Sequence, residues 1–282
     1  MPRSDPSPHR SRLPSRTRLD RFLSAHTRYC RKEVRLLLAQ GRILLNGQRA
    51  ESINQVVGPL DSVVLDEVCL QQREAVYLAL HKPVGVVSAT CDAEHRTVLD
   101  VVRDCVLEGQ LALNDAVLET LHLVGRLDKN TSGLLLLTND SDWSEQLMSP
   151  DSKVAKVYEV TLEQPLDERY APAFAAGMHF PYENITTQPV GLEMVSEHVA
   201  RVTLTEGRYH QIKRMFGRFR NPVLALHRVS VGPWSLDQAV LEQAALEQAV
   251  LEQAVLEKTV LSEIRLPGTC CRIAARPGRA LL

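Results

Sequence analysis

None of the six cysteines (Cys30, Cys69, Cys91, Cys105, Cys270, Cys271) forms a C-x-x-C pair, and no Cys/His spacing suits zinc. A disulfide framework and a metal site are therefore not expected, and a reducing, cytoplasmic setting is. The chain also lacks any apolar run of the roughly 18 residues needed to cross a bilayer, and its N-terminus has no apolar core of a signal peptide. A membrane partner is not expected. Net charge is nearly absent too, at −1. What is present is ordinary for a folded soluble protein: 282 residues, 44% apolar and 24% charged, which argues against wholesale disorder or a fibrous protein and allows about two domains.

The near-zero total hides an uneven distribution. Residues 1 to 49 hold twelve Lys/Arg against three Asp/Glu, a net of +9 that leaves −10 for the remainder. From Asp237 to Glu263 there are six acids against one base. A strongly basic front end points to a polyanion partner. Its first part, residues 1–17, is Arg- and Ser-rich like a transit peptide, but Pro2, Pro6, Pro8 and Pro14 spoil an amphipathic helix. A disordered basic arm is the expectation there.

Beyond the arm, Leu19, Phe22 and Leu23 recur at i, i+3 and i+4, the pattern of a helix. A second helix follows from Arg31 to Ala39 and ends at Gln40-Gly41. Arg42 to Leu45 reads as a strand entering an Asn46-Gly47 hairpin turn, with Ser62 to Leu65 as a closing strand. Two short helices, a small hairpin and the cluster Arg28, Arg31, Lys32 and Arg35 resemble the S4-like RNA-binding module over residues 18–65. The matching strings are "RLDRFL", the Arg31-centred helix start and "GRILLNG". Cys30 stands where that family usually has a capping Ser, so a cap weaker by about 1 kcal/mol is expected. A solvated basic helix face is the plainer alternative for these residues.

Residues 66–76 read as a linker, and a second domain as 77–282. It opens with a strand from Val76 to His81 and a turn at Pro83 and Gly85. Its centre is Gly125-Arg126-Leu127-Asp128-Lys129-Asn130-Thr131-Ser132-Gly133, running into Leu134 to Leu137. Four consecutive leucines suggest a strand buried on both faces, with polar groups presented by the loop before it. Asp142 and Glu145 are spaced to cap a following helix. Val154 to Leu162 is a further strand on which Lys156 and Tyr158 share a face. From Tyr209 to Phe219 a helix is expected, with Ile212, Met215, Phe216 and Phe219 on one arc and His210, Lys213, Arg214 and Arg218 on the other.

Five ordered blocks, "HKPVGVVS", "GRLDKNTSGLLLLTND", "KVYEVTLE", "EGRYHQIKRMF" and "LHRVSVGP", resemble the RsuA/RluB-type family of ribosomal RNA pseudouridine synthases over about residues 77–234. The resemblance implies an α+β fold, in which an S4-like module precedes a catalytic domain with a mixed, mainly antiparallel sheet and flanking helices. It implies that Asp128 is the catalytic aspartate, Tyr158 the active-site tyrosine and Lys213 the basic partner of the aspartate. Taken alone, each of the three would read as a turn residue, a core aromatic and a solvated charge.

Turning uridine into pseudouridine breaks the ring-nitrogen bond to ribose, rotates the uracil and joins carbon 5 to the ribose. Nothing is oxidised and no external group is consumed, so no cofactor is expected. An ionised Asp128 suits this as a nucleophile or as a stabiliser of positive charge at the ribose; the sequence leaves attack on the sugar and attack on the ring both open. Tyr158 offers a flat face for the loose uracil and a hydroxyl for proton transfer. A stacked uridine has to be flipped out to react, and Arg126, Arg208, His210 and Arg214 are expected, with the S4-like cluster, to contact the RNA.

"DAEHRTVLDVV", "DWSEQLMSPDSKVAKVYEVTLE" and Thr187-Gln188-Pro189 look most like the RsuA branch. The expected partner is accordingly ribosomal RNA, 16S within a partly assembled small subunit, bound by a monomer. The alternatives are a large-subunit 23S target and a catalytically silent ribosome-assembly protein. One stretch departs from the family. Leu236, Leu241, Leu246, Leu251, Leu256 and Leu261 recur every five residues, in units such as Leu-Glu-Gln-Ala-Val. Each five-residue step rotates a helical leucine by about 140°, so no fixed apolar stripe forms. The pentads read as a low-complexity insert at about 237–263, helical or partly disordered, with a protein-contact element or a β-helix as alternatives.

Overall fold

A computed structural model describes residues 16–109, 111–235 and 270–272. Nearly all of the basic arm and the whole pentad insert lie outside the described residues. The chain forms two compact units that divide between Ala75 and Val76.

The first unit carries β1 (Thr17–Arg18), α1 (Leu19–His26), α2 (Arg31–Ala39), β2 (Ile43–Leu45), β3 (Gln48–Arg49), β4 (Val56–Val57), β5 (Val63–Leu65) and β6 (Val68–Gln71). Leu19, Phe22 and Leu23 of α1 bury against Val34 and Leu37 of α2 and the β2 and β5 residues Ile43, Val63 and Leu65. The sheet is antiparallel in the order β3-β2-β5-β6, and β1 pairs with β4. Asn46 and Gly47 both have positive φ, 54° and 77°, as a two-residue hairpin turn of the primed kind requires.

One expectation needs correcting here. Part of the range read as linker is sheet: Leu65 pairs with Val68, and Asp66 and Glu67 make the turn between them with positive φ of 49° and 68°. Nothing in Asp-Glu announces such a turn. It is held from outside, because Arg42 donates to both carboxylate oxygens of Asp66, one of them at 2.6 Å. At the start of α2 Glu33 reaches back and its Oε2 accepts the Cys30 backbone N–H at 2.7 Å, a bond that acts beside the weak cap expected of Cys30.

The second unit follows as β7 (Tyr77–Lys82), α3 (Val98–Leu107), α4 (Asp115–Leu118), β8 (His122–Val124), β9 (Thr131–Thr138), α5 (Ser141–Met148) and β10 (Lys156–Leu162). It continues with α6 (Tyr170–Ala176), β11 (His179–Phe180), β12 (Ile185–Thr186), β13 (Gly191–Ser196), β14 (Val199–Leu204), α7 (Gln211–Gly217), β15 (Val223–Val231), β16 (Trp234–Ser235) and β17 (Cys270–Arg272). The main sheet runs β13-β14-β10-β15-β9-β7-β17, with β8 paired to β9 and β16 to β15. Among these pairings β15 with β9 is parallel and the others are antiparallel. The fold is therefore α+β with a mixed, mainly antiparallel sheet.

Leu134, Leu135, Leu136 and Leu137 are all fully buried, so β9 is covered on both faces and is a rigid core element. Ile212, Met215 and Phe216 of α7 are buried and Phe219 packs at the edge of the same core. The helix is shorter than the pattern predicts, because His210 adopts a left-handed backbone (φ 48°, ψ 31°) that keeps Tyr209 and His210 outside it. The cap of α5 is Asp140 rather than Asp142 or Glu145. Its carboxylate accepts from the backbone N–H groups of Asp142 and Trp143 at 3.1 and 3.2 Å, which is the bond an N-cap side chain makes.

Candidate active site and RNA-facing surfaces

Asp128 sits in the loop between β8 and β9, directly ahead of the leucine strand. The loop is clamped. Ser88 Oγ accepts the N–H of Leu127 at 3.0 Å and donates to its carbonyl at 2.7 Å, while the Leu127 side chain is buried. Gly85 N–H donates to the carbonyl of Lys129 at 2.8 Å, and Thr131 N–H closes a turn on the carbonyl of Asp128 at 3.0 Å. The "KPVGVVS" segment thus holds the backbone on both sides of Asp128, and the side chain itself remains about one-third exposed.

Beneath the loop lies a cation that the sequence reading passed over. Lys82 ends β7 in phase with the buried Leu78 and Leu80, and it has no solvent exposure. Its ammonium donates to the carbonyls of Thr131 at 2.7 Å, Pro83 at 3.0 Å and Lys129 at 3.4 Å. Burial pushes its pKa down to about 8, against the opposing pull of the Asp128 charge and with a smaller push from Arg228. Arg228, 2% exposed, was also passed over; its Nε donates to the carbonyl of Leu134 at 2.7 Å. The available signal was period-2 phase: both residues occupy core-facing positions of strands where an apolar residue is the rule, and a charge there calls for a reason.

The group that meets Asp128 is His210, whose Nε2 is 3.3 Å from Asp128 Oδ2. Lys213, expected in that role, is half-buried on α7 and makes no ion pair within 4 Å of Asp128 among the described residues. The reason is local backbone: the left-handed turn at His210 swings that ring to the carboxylate, whereas Lys213 lies almost a turn further along the helix. Tyr158 is 9% exposed and belongs to the core cluster. The register aligns Gly133, Arg228 and Tyr158 across β9, β15 and β10, so Tyr158 stands two strands, about 10 Å, from the strand that Asp128 precedes.

The cationic residues differ in exposure and in ion pairing. Arg126, beside Asp128 in the loop, is exposed, as are Arg28, Lys32 and Arg35 in the first unit. Arg208 is paired with Glu206 (2.8 Å) and Arg214 with Glu183 (2.5 Å), and the Arg214 guanidinium also lies 4.0 Å from the centre of the Phe180 ring. A phosphate would have to compete with these carboxylates for either arginine. Arg31 pairs at 2.7 Å with Asp20, which also holds Arg18 at 2.7 Å. Burial alone would raise the Asp20 pKa, but hydrogen bonding and charge from Arg18, with help from Arg31, bring it below the ordinary value. These residues, with Arg21 and Ser24, line a cavity of about 250 Å³.

An arginine-lined module built on two short helices is followed by a mixed sheet in which a loop carrying one partly exposed carboxylate, Asp128, heads the buried strand β9. Residues 76–217 match the family described as RNA pseudouridylate synthase and residues 17–63 match the S4 domain; the chain belongs to the RNA pseudouridylate synthase family. Among individual proteins, it is 46% identical over 221 residues to ribosomal small subunit pseudouridine synthase A of Pseudomonas aeruginosa, covering 78% of this chain and 91% of that one. It is 36% identical over 221 residues to the protein of the same description from Escherichia coli K12, again covering 78% and 91%. A crystal structure of a pseudouridylate synthase superposes with a TM-score of 0.53 at 32% identity, covering 79% of this chain and 91% of the other.

Proposed function

We propose that this pseudouridine synthase acts on 16S ribosomal RNA in a partly assembled small subunit, with Asp128 as its catalytic carboxylate. What carries the chemical reading is the clamped loop: Ser88, Gly85 and the buried Lys82 hold the backbone on either side of Asp128 at the head of a rigid strand, with its carboxylate about one-third exposed. Such preorganisation is what a charged group needs to act without reorganising at the moment of reaction. The likeness to relatives described as ribosomal small subunit pseudouridine synthase A supports the choice of RNA.

In this reading the S4-type module and Arg126 hold the RNA backbone, and the target uridine swings out of its stack to bring its glycosidic bond to Asp128. The bond from ring nitrogen to ribose breaks. The uracil turns against the Tyr158 ring, carbon 5 bonds to the ribose, and its hydrogen leaves as a proton while the ring nitrogen gains one, so the product is an isomer of the substrate. Tyr158 supports the ring and relays the proton. Lys213 and the buried Lys82 supply positive charge around the carboxylate, and His210 steadies it by direct contact. Asp128 attacks either the sugar or the ring; both routes use the same placement.

The test is release of tritium from carbon 5 of labelled uridine in partly assembled small subunits, paired with mapping of pseudouridine in cells lacking the protein. Release from small-subunit RNA, and return of the missing pseudouridine with the natural gene but not with an Asp128→Asn copy, are expected. Release confined to large-subunit RNA would overturn the choice of target, and full rescue by the Asn copy would overturn the role of Asp128.

A further inference from the structure

We infer that Tyr209, stacked on His210, is a platform for an RNA base next to the flipped uridine; the inference rests on the reading that this site receives a flipped nucleotide. Tyr209 is 76% exposed. Its ring lies nearly parallel to that of His210, with centroids 3.9 Å apart and an interplanar angle of 18°. His210 in turn touches Asp128 through Nε2 at 3.3 Å. An aromatic pair spaced much like stacked bases, which lie about 3.4 Å apart, therefore begins at the catalytic carboxylate and ends on an open ring face.

The pair is fixed rather than incidental. His210 is not a glycine, yet it adopts the left-handed region, a conformation unfavourable for a residue with a side chain that persists where the surroundings enforce it. Its carbonyl accepts the backbone N–H of Arg214 at 2.9 Å, and the carbonyl of Tyr209 accepts from the Arg214 side chain at 3.4 Å. Next to it, Gln211 is buried and locked between the N–H of Arg208 (3.1 Å) and Glu206 (2.7 Å). Hydrogen bonding thus holds the backbone that carries both rings, and the stack on His210 sets the Tyr209 ring, so little backbone ordering is left to do when a base arrives.

Withdrawing a uridine from its stack exposes the faces of its neighbours, and an exposed aromatic ring recovers that stacking for any base, because every base has a π-face. The Tyr209 ring sits one aromatic thickness beyond His210, within a nucleotide's reach of the carboxylate where the glycosidic bond must lie. Packing against the protein does not account for a ring this open. The ligand chemistry is accordingly a nucleobase, recognised by its face and not by its hydrogen-bonding edge.

Steady-state kinetics on tritium-labelled small-subunit particles test this with Tyr209→Phe and Tyr209→Leu. The Phe variant keeps the ring and should hold KM within about twofold of the natural protein. The Leu variant should raise KM about tenfold with kcat changed by less than about threefold, the size of one lost base–aromatic stack. Neither should change the melting temperature, since the ring is exposed. An unchanged KM in the Leu variant overturns the inference, as does an equal loss in the Phe variant. Filter binding of a 16S transcript to the same pair of variants, each in an Asp128→Asn background, makes the judgement independent of turnover. Weaker binding by Leu than by Phe supports the platform even if the natural protein releases no tritium from these particles, a result that would instead sink the proposed target.

Discussion

The ammonium of Lys82 donates to the carbonyl of Thr131 at 2.7 Å, so a fully buried cation anchors the backbone three residues after Asp128. Its folded-state pKa of about 8 lies below the ordinary 10.5 because burial disfavours the charged form. Between those values the unfolded chain keeps the proton and the folded chain gives it up, so this group adds stability as pH rises from about 8 towards 10.5; below pH 8 the cost of the buried charge is carried in full. Urea unfolding of the natural protein and of Lys82→Met should therefore diverge by about 2 kcal/mol in favour of the natural protein between pH 7.5 and 9.5. Parallel pH profiles would refute the assignment.

Asp128→Asn removes a charge while preserving volume, and its loop is held by backbone contacts that do not involve the carboxylate. Turnover should fall by at least about a thousandfold with RNA affinity and melting temperature nearly unchanged. Single-turnover tritium release alongside filter binding separates the two effects.

Gly133 has φ of 109°, and a Cβ there would come within 2.2 Å of the Arg228 carbonyl oxygen and 2.5 Å of its backbone nitrogen. Backbone cannot step aside as a side chain tip can, so Gly133→Ala should cost more than about 4 kcal/mol and yield little folded protein. Gly125 provides the control. Its φ is 80° but a Cβ there would meet nothing within 4 Å, so Gly125→Ala should cost about 1 kcal/mol. Similar losses at both sites, measured by thermal melting, would count against the close-approach argument.

Ser88→Ala takes away the single hydroxyl that satisfies both the N–H and the carbonyl of Leu127. Leaving two partly buried backbone groups unpaired should destabilise by about 2 kcal/mol. Because the same clamp places Asp128, kcat should drop about tenfold while KM stays near its natural value; a matching rise in KM would instead point to a role in RNA binding.

Much of this was legible in the sequence because it is local or periodic. The leucine run of β9, the paired helices of the first unit and the buried arc of α7 follow from spacing, and the ordered blocks carry the family. What escaped reading depends on partners that spacing does not point to. The Asp66-Glu67 turn is held by Arg42, the Cys30 backbone N–H is bonded by Glu33, and the contact to Asp128 comes from His210, 82 positions away, instead of from Lys213.

The sequence by itself determined the two-part organisation and the loop that carries Asp128, and through the order of its family blocks it implied the α+β class, since hydrophobic period, turn chemistry and motif order are written along the chain. Tertiary structure alone decided which cations serve the loop. A histidine ahead of α7 reaches Asp128, and a lysine in β7 reaches the backbone of the residues that follow it, because one left-handed residue and the β7–β9 register place them there. Charge interactions act through space and fall off with distance and dielectric, not with separation along the chain. No reading of spacing can therefore rank Lys82, His210 and Lys213 around one carboxylate.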